Sequence, residues 1–505
     1  MPTIGGTVIR NANRVPDREA LVSGVRRWTW RELDAEIARV AGRLHEFGLA
    51  KGDRFALLSS NSPEFVIASH AASRLGAIVV PINTRLAPPE LAHIISDSGS
   101  SLLAFGSQET ALAESVRSRE PSMCELPTLV ALGSSAKHPN LFEETSAEPI
   151  REDHAVESDN AFILYTSGTT GNPKGALFDH HRAVWAAMAQ IVSLGLRDGD
   201  RYLHLTPMYH SGGTTFMNVT TLLGGTHLLI PAFDPESVLD MIEQEKATWL
   251  FGVPTMYQFL LKLPDLARRD LNSWRIGVFG AAPMPASAVS DLLAALPHVD
   301  FFQQCGQTEA GPTGIYSTMP QVLARPDSSG HIAQPFMEAR VVDRSGIDTP
   351  PGEVGELLFR GEAVMKEYWN RPEATAETIR DSWLHTGDLM HVTADGAMRL
   401  VDRLKDVIIS GGRNIYSAEV EQAIAQHPSV ADVAVIGRPH PEWGATVIAV
   451  VNLHSGATFS LDSLREHCRP LIADYKIPRD LVLGAVPRNA TGKVQKHLLR
   501  TDTST

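Results

Sequence analysis

Cysteine is scarce in this chain: 505 residues hold three, Cys124, Cys305 and Cys468. They stand far apart, with no CxxC pair and no histidine-rich neighbour. Neither a disulfide framework nor a zinc site is expected, and a reducing cytoplasm fits. Positive charge is in deficit, with 45 Lys and Arg against 58 Asp and Glu and a net charge of −13. An acidic surface repels a phosphate backbone, so nucleic acid is not an expected partner. No uncharged apolar run is long enough to span a bilayer, and MPTIGGTVIRNANRVPDREA has no basic start followed by an apolar core. A soluble, cytoplasmic location is expected, while peripheral membrane contact and a homo-oligomeric state stay open. GxGxxG and GxSxG are missing as well, which removes the usual dinucleotide and hydrolase-elbow signals.

What is present is an ordinary ordered composition, 43% hydrophobic and 20% charged, on a chain long enough for several cores. Over residues 28–95, WRELDAEIARVAGRLHEFG has helical spacing and RFALLSS reads as a buried strand. PEFVIASHAASRLGAIVVPIN repeats that helix-strand pair. Residues 160–330 continue the alternation with AFILYTSG, THLLIPAF, TWLFGVP and RIGVFGAA, so helix-flanked, mostly parallel sheets are expected. Residues 338–401 read as a small antiparallel β unit. Beyond Asp402 the pattern turns to mixed α+β over about 100 residues, the size of a separate lid domain. The expected fold is therefore α/β, with an N-terminal domain over 1–401 and a C-terminal lid over 402–505.

The most informative stretch is Tyr165-Thr166-Ser167-Gly168-Thr169-Thr170-Gly171-Asn172-Pro173-Lys174-Gly175, which follows an apolar strand. Glycines and hydroxyl residues can turn backbone N–H groups and hydroxyls toward phosphate oxygens, with Lys174 as counter-charge. A Walker A loop fails on spacing, because Asn172-Pro173 separates Gly171 from Lys174. A generic Gly/Ser/Thr stretch would be a surface loop; eleven residues in this order are not generic.

The stretch resembles the phosphate loop of the adenylate-forming superfamily of acyl-CoA synthetases, luciferases and peptide-synthetase adenylation domains. Further signatures of that superfamily follow in order along essentially the whole chain. The resemblance implies ATP, Mg²⁺ and coenzyme A as co-substrates and a small carboxylic acid as substrate. By the same resemblance, Thr166, Ser167, Gly168, Thr169, Thr170, Gly171 and Lys174 cradle the triphosphate, and Gly280, Ala281 and Ala282 with Pro283 line the adenine. Gln304-Cys305-Gly306-Gln307-Thr308-Glu309 supplies Thr308 for the α-phosphate or carboxylate and Glu309 for Mg²⁺, a hard cation that wants carboxylate oxygen. Relatives usually carry an aromatic ring where this chain has Cys305, and a thiol has no stacking face. Asp388 and Arg403 match the ribose anchors. Lys493, in Pro487-Arg488-Asn489-Ala490-Thr491-Gly492-Lys493, matches the catalytic lysine that stabilises charge as pyrophosphate leaves. Lys496 is expected to be a solvated surface charge. By the resemblance the hinge lies near 402–406, with Lys405 the residue about which the lid turns, and Ser410, Gly411 and Gly412 match the turn beside the coenzyme A channel. For Gly411-Gly412 a plain strand-to-helix turn is an even alternative. Ser417 stands where relatives often have Pro, which leaves that turn less rigid.

By the same resemblance His210, in Pro207-Met208-Tyr209-His210-Ser211-Gly212-Gly213, is a catalytic residue at the acyl-pocket entrance, as its gate or as a neighbour of the reacting carboxylate. The expected lining, Phe216, Phe251, Gly252, Val253, Met256, Gly311, Pro312 and Gly314, offers no Arg or Lys for a second carboxylate. An apolar acid is expected, with a medium- to long-chain fatty acid favoured over an aryl acid of the cinnamate or benzoate type. Three rivals share the scaffold: a luciferase-like oxygenase, an enzyme loading a carrier-protein phosphopantetheine, and a non-catalytic binding protein. The absence of a carrier domain after Lys496 argues mildly against the second, and Lys174, Glu309 and Lys493 together argue against the third.

Overall fold

The helix expected from residue 30 runs Trp30–Glu46 in the computed structural model, which describes residues 3–119, 127–166, 173–282, 284–488 and 494–502. A capping box starts it: Glu32 N–H donates to Thr29 Oγ1 at 3.3 Å and Thr29 N–H to Glu32 Oε2 at 2.8 Å. Leu33, Ile37, Val40, Ala41 and Leu44 form its buried stripe, as helical spacing requires. The next units are the strand Arg54–Leu58, the helix Pro63–Arg74 and the strand Ile78–Ile82, the strands pairing parallel with Arg54 opposite Ile78. All five residues of Ile78–Ile82 are buried, the pattern of a strand covered on both faces.

Two large sheets hold most of the chain. In one, Asp300–Gly306, Ile276–Gly280, Trp249–Gly252, Arg201–His204, Thr226–Leu229 and Glu19–Ser23 lie side by side, each parallel to its neighbour. Antiparallel strands Gly314–Ser317 and Arg26–Thr29 extend it on either side, and Ile332–Ala333 completes nine strands. Its two faces carry separate cores: Leu203, Leu250, Tyr257, Trp274 and Phe279 on one, and Tyr202, Phe216, Trp249, Phe251 and Val278 on the other. The second sheet has seven strands, with the antiparallel pair Asn160–Thr166 and Lys174–Asp179 next to the parallel set.

The described chain divides into two compact units, the first within 1–166, 172–339 and 359–384 and the second within 340–358 and 385–505. Around residues 338–401 the strands Met337–Val342, Val354–Gly361, Trp383–Val392 and Met398–Arg403 lie in one sheet, the last two antiparallel. In the second unit the long hairpin Val430–His440 and Gly444–Leu453 carries Ile408–Ser410 and, in parallel, Asp480–Leu483. The helices Ser417–Ala425 and Leu461–Cys468 bury Val420, Ile424, Leu464 and Cys468 against it. No helix among the described residues is long and apolar enough to cross a membrane.

Candidate active site

In the first unit the phosphate-loop strands meet with Thr166 opposite Lys174. Ser167, Gly168, Thr169, Thr170 and Gly171 lie outside the described residues. The Lys174 ammonium sits 5.1 Å from the centre of the Tyr368 ring, a cation–π distance. Tyr368 Oη in turn donates to Glu309 Oε1 at 2.8 Å. Burial and the neighbouring carboxylate both push the phenol's pKa up, so it stays a donor. One phenol thus organises a cation on its face and a carboxylate on its rim. Nothing in the sequence marked Tyr368; it lies 59 residues from Glu309 in a two-residue strand, Glu367–Tyr368.

Thr308 and Glu309 open the short turn Thr308–Ala310, directly after the strand Asp300–Gly306 and Gln307. The Thr308 hydroxyl is 3.0 Å from Ser211 Oγ. Ser211 starts the helix Ser211–Leu222, whose N-cap is His210, so the hydrogen bond joins two separate motifs at their chemistry-bearing ends. The His210 ring lies 4.9 Å from that of Tyr209. Gln304 Nε2 donates to Gln190 Oε1 at 2.7 Å, while Cys305 pairs with Ile315 and Gly306 with Gly314 across the antiparallel edge. Gly280 lies beside Gln304 in the sheet, and a Cβ there would run into the Gln304 carbonyl. Ala281 follows at φ 65°, a left-handed conformation that costs a non-glycine residue energy. Ala281 and Ala282 are exposed, and Pro283 lies outside the described residues.

Of the expected acyl lining, Phe216 and Phe251 are brought together with ring centroids 5.1 Å apart. Gly311 ends the Thr308 turn with φ 71°, and Gly314 begins the strand Gly314–Ser317. Met256 packs with the core on the opposite face of the sheet, beside Tyr257 and Leu260.

In the second unit Asp388 and Arg403 face each other across paired strands, with Nε to Oδ1 at 2.9 Å. Thr386 Oγ1 receives Asp388 N–H at 3.0 Å and donates to the Leu357 carbonyl at 2.6 Å, which fixes the turn around Gly387. Lys405 lies in the short turn Leu404–Asp406. Burial lowers its pKa to about 8, opposed by Asp406 and assisted by Arg403 and Arg500. Ser410 ends a strand, and Gly411 and Gly412 form the tight turn to Arg413–Ile415. Gly411 has φ 56° and donates its N–H to the Trp443 carbonyl at 2.8 Å, so both the conformation and the adjacent indole favour glycine there.

Lys493 lies outside the described residues. Its flanks pair, with Arg488 opposite Val494 and Gln495 N–H donating to the Pro487 carbonyl at 2.8 Å. Lys496 is not a solvated charge. Its side chain is 12% exposed, its ammonium is 2.7 Å from Glu421 Oε1, and it donates to Ser417 Oγ at 2.6 Å. Ser417 does not loosen its turn either: its N–H and hydroxyl both donate to Asp402 Oδ2, the hydroxyl at 2.8 Å. The physical reason is the same for both corrections. Asp402, Glu421 and Lys496 share one partly buried polar cluster, where an unpaired charge would be costly.

With this geometry in place the relatives are informative. The AMP-binding enzyme family matches residues 8–369, and the AMP-binding enzyme C-terminal domain matches 419–493. The chain belongs to the AMP-binding enzyme family. It is 38% identical over 500 residues to a feruloyl-CoA synthase of Amycolatopsis, covering 98% of each chain. It is 35% identical to a long-chain-fatty-acid–CoA ligase of Mycobacterium tuberculosis, covering 99% of this chain and 98% of that one. Among solved structures, the o-succinylbenzoate-CoA synthetase of Bacillus subtilis with its acyl-adenylate superposes with a TM-score of 0.87 at 30% identity, covering 99% and 98% of the two chains. This AMP-binding enzyme is thus an AMP-forming ligase of acyl or aryl acids with coenzyme A, using ATP and Mg²⁺. Three contacts at these positions were not foreseen from the sequence: Tyr368 with Glu309, Ser211 with Thr308, and Trp443 with Gly411.

Proposed function

We propose that this ligase activates a medium- to long-chain fatty acid in two half-reactions. A carboxylate oxygen attacks the α-phosphorus of ATP and expels pyrophosphate; the coenzyme A thiolate then displaces AMP from the acyl carbon. The observation that carries the reading is the assembly of Lys174, Tyr368 and Glu309 beside the Thr308–Ser211 pair. Glu309 suits Mg²⁺, because a magnesium ion is commonly held by one or two carboxylates with the substrate's phosphate oxygens. When bound, that ion neutralises the leaving pyrophosphate. Lys174 supplies positive charge to the phosphates, Thr308 a hydroxyl to the reacting carboxylate, and Tyr368 keeps the Glu309 carboxylate in one orientation. Asp388 and Arg403 take the ribose, Lys405 is the hinge between domains 1–401 and 402–505, and Ser410 to Gly412 take the pantetheine arm. An aryl acid is the second reading, favoured by the 38% identity to a feruloyl-CoA synthase and by the paired Phe216 and Phe251 rings.

Lys493 is assigned to the adenylation step alone. Lys493→Ala is expected to slow acid-dependent ATP–pyrophosphate exchange by about 10²-fold or more, the scale of one lost transition-state donor. Transfer from a supplied acyl-adenylate to coenzyme A survives better. Equal loss in both assays would remove the assignment.

A further inference from the structure

The strands that end at Thr166 and begin at Lys174 share a core with one helix, Pro88–Ser98: Leu91, Ile94 and Ile95 of the helix bury together with Ile163 and Leu177 of the hairpin. That apolar stripe explains why the helix packs there, but not what its polar residues do. His93 Nε2 lies 3.3 Å from the carbonyl of Pro173, the residue just before Lys174. A carbonyl can only accept, so that nitrogen carries the proton. Asp97 Oδ2 accepts from the hydroxyl of Tyr165, the residue just before Thr166, at 2.7 Å. One helix thus holds both strands of the hairpin close to their phosphate-loop ends.

Asp97 is an unexpected residue for its place. It stands in the last turn of its helix, where the macrodipole disfavours a carboxylate. Its side chain is only 7% exposed, so the charge needs partners. Arg54 serves that helix end in the ordinary way, donating to the Ser98 and Gly99 carbonyls at 2.9 and 2.7 Å. The two oxygens of Asp97 go to other segments, Oδ2 to Tyr165 and Oδ1 to the Arg371 guanidinium. Burial and then Asp97 push the pKa of the Tyr165 phenol up, against Arg371 and Ser98, so the hydroxyl stays a donor. A residue that opposes its own helix and is satisfied by two distant segments is the kind of local conflict that function retains.

Arg371 closes the other half of the brace. Its N–H donates to the Tyr368 carbonyl at 3.1 Å, and Asn370 between them turns the chain at φ 53°. Trp369 donates its N–H to the Gly175 carbonyl at 2.7 Å and its Nε1–H to the Asp97 carbonyl at 3.1 Å. The turn that presents Tyr368 to Lys174 and Glu309 is therefore tied to the same aspartate as Tyr165, which pairs with Gly175 next to Lys174. We propose that Asp97 is a positioning residue for the phosphates of ATP: through Tyr165 and Arg371 its carboxylate fixes the two segments that flank Lys174. Asp97 acts through Lys174 and Tyr368 and is not itself catalytic. The proposal rests on the ATP-dependent reading above and names what holds the phosphate-binding lysine in place.

Calorimetric titration of the purified chain with ATP and with AMP, both in Mg²⁺, tests the role. AMP lacks the outer phosphates, so misplacing Lys174 weakens ATP and spares AMP. Asp97→Asn keeps the shape and removes the charge. It is expected to raise the Kd for ATP at least about 5-fold, near the scale of one lost charge-assisted hydrogen bond, with the Kd for AMP within about 2-fold. Arg371→Met follows Asp97→Asn, and Arg371→Lys recovers most of the ATP affinity. The double variant Asp97→Asn, Arg371→Met is no weaker than the weaker single variant, because the pair acts as one unit. Where Asp97→Asn does not fold, Tyr165→Phe, which removes one hydroxyl, carries the same expectation. A lowered urea midpoint with ATP affinity unchanged, or equal losses of ATP and AMP, would overturn the proposal and leave Asp97 a residue of the core alone. Binding is read without turnover, so a parent that binds ATP but activates no acid removes only the acid-activating reading, and the ATP-to-AMP ratio of the variants still decides on Asp97. A parent that binds neither nucleotide overturns both.

Discussion

At the scale of single residues, the phenol of Tyr368 joins Lys174 and Glu309, which stand in separate motifs. It fixes Glu309 Oε1 at 2.8 Å and offers its face to Lys174. Tyr368→Phe keeps the ring and removes only the hydrogen bond, so the carboxylate loses its orientation while the lysine keeps its platform. Loss of a partner that orients a metal ligand costs about 10- to 100-fold in metal affinity. The Mg²⁺ concentration giving half-maximal pyrophosphate exchange should therefore rise by at least about 10-fold in Tyr368→Phe; an unchanged Mg²⁺ dependence would detach Glu309 from the metal. The motif residues were legible because residue type and order alone carry them. Tyr368, Ser211 and Trp443 were not, because their roles come from contacts between segments far apart in sequence.

At the scale of elements, the polar cluster of Asp402, Ser417, Glu421 and Lys496 ties the strand Met398–Arg403 and the helices Ser417–Ala425 and Lys496–Asp502 together. Lys496→Met leaves Glu421 without its cation, and burial already raises the pKa of that carboxyl. The pair is partly exposed, so the loss should be about 2 kcal/mol, below the range for a fully buried pair. The change is read as a lowered urea midpoint, with partial recovery in the Lys496→Met, Glu421→Gln double variant. A midpoint equal to that of the parent would return Lys496 to the solvated surface.

The histidines between the strands Arg201–His204 and Thr226–Leu229 and the helices Pro63–Arg74 and Ser211–Leu222 give a second test. Burial lowers the pKa of His70 to about 4, with Arg74 adding to it, and that of His204 to about 3; it lowers His227 as well, where His204 and His70 add. These values lie below the unfolded value of about 6.5. Such groups stabilise the fold fully above the unfolded value, and the contribution is lost as pH falls from there toward the folded one. Each histidine should remove about 1.4 kcal/mol per pH unit below pH 6. His70→Gln is expected to flatten that slope by about one proton; an identical slope would show that His70 does not titrate on unfolding.

At the scale of the whole molecule, the helix-strand alternation was readable because parallel strands buried on both faces are short apolar runs between amphipathic helices. Ile78–Ile82 and Trp249–Gly252 lie where those runs predict. Strand order was not readable: Glu19–Ser23 pairs with Thr226–Leu229, some two hundred residues away, and no local pattern encodes that choice. The division of 338–401 also escaped the sequence, since 340–358 and 385–401 fall in the second compact unit and 359–384 in the first. Two family models match at this scale, over 8–369 and 419–493. The most direct measurement incubates the purified chain with ATP, Mg²⁺ and fatty and aryl acids, with and without coenzyme A. Acid-dependent pyrophosphate exchange in both cases, with acyl-CoA and stoichiometric AMP only when coenzyme A is present, is the predicted result. Exchange without any thioester from coenzyme A, or no exchange with any acid, would contradict the account.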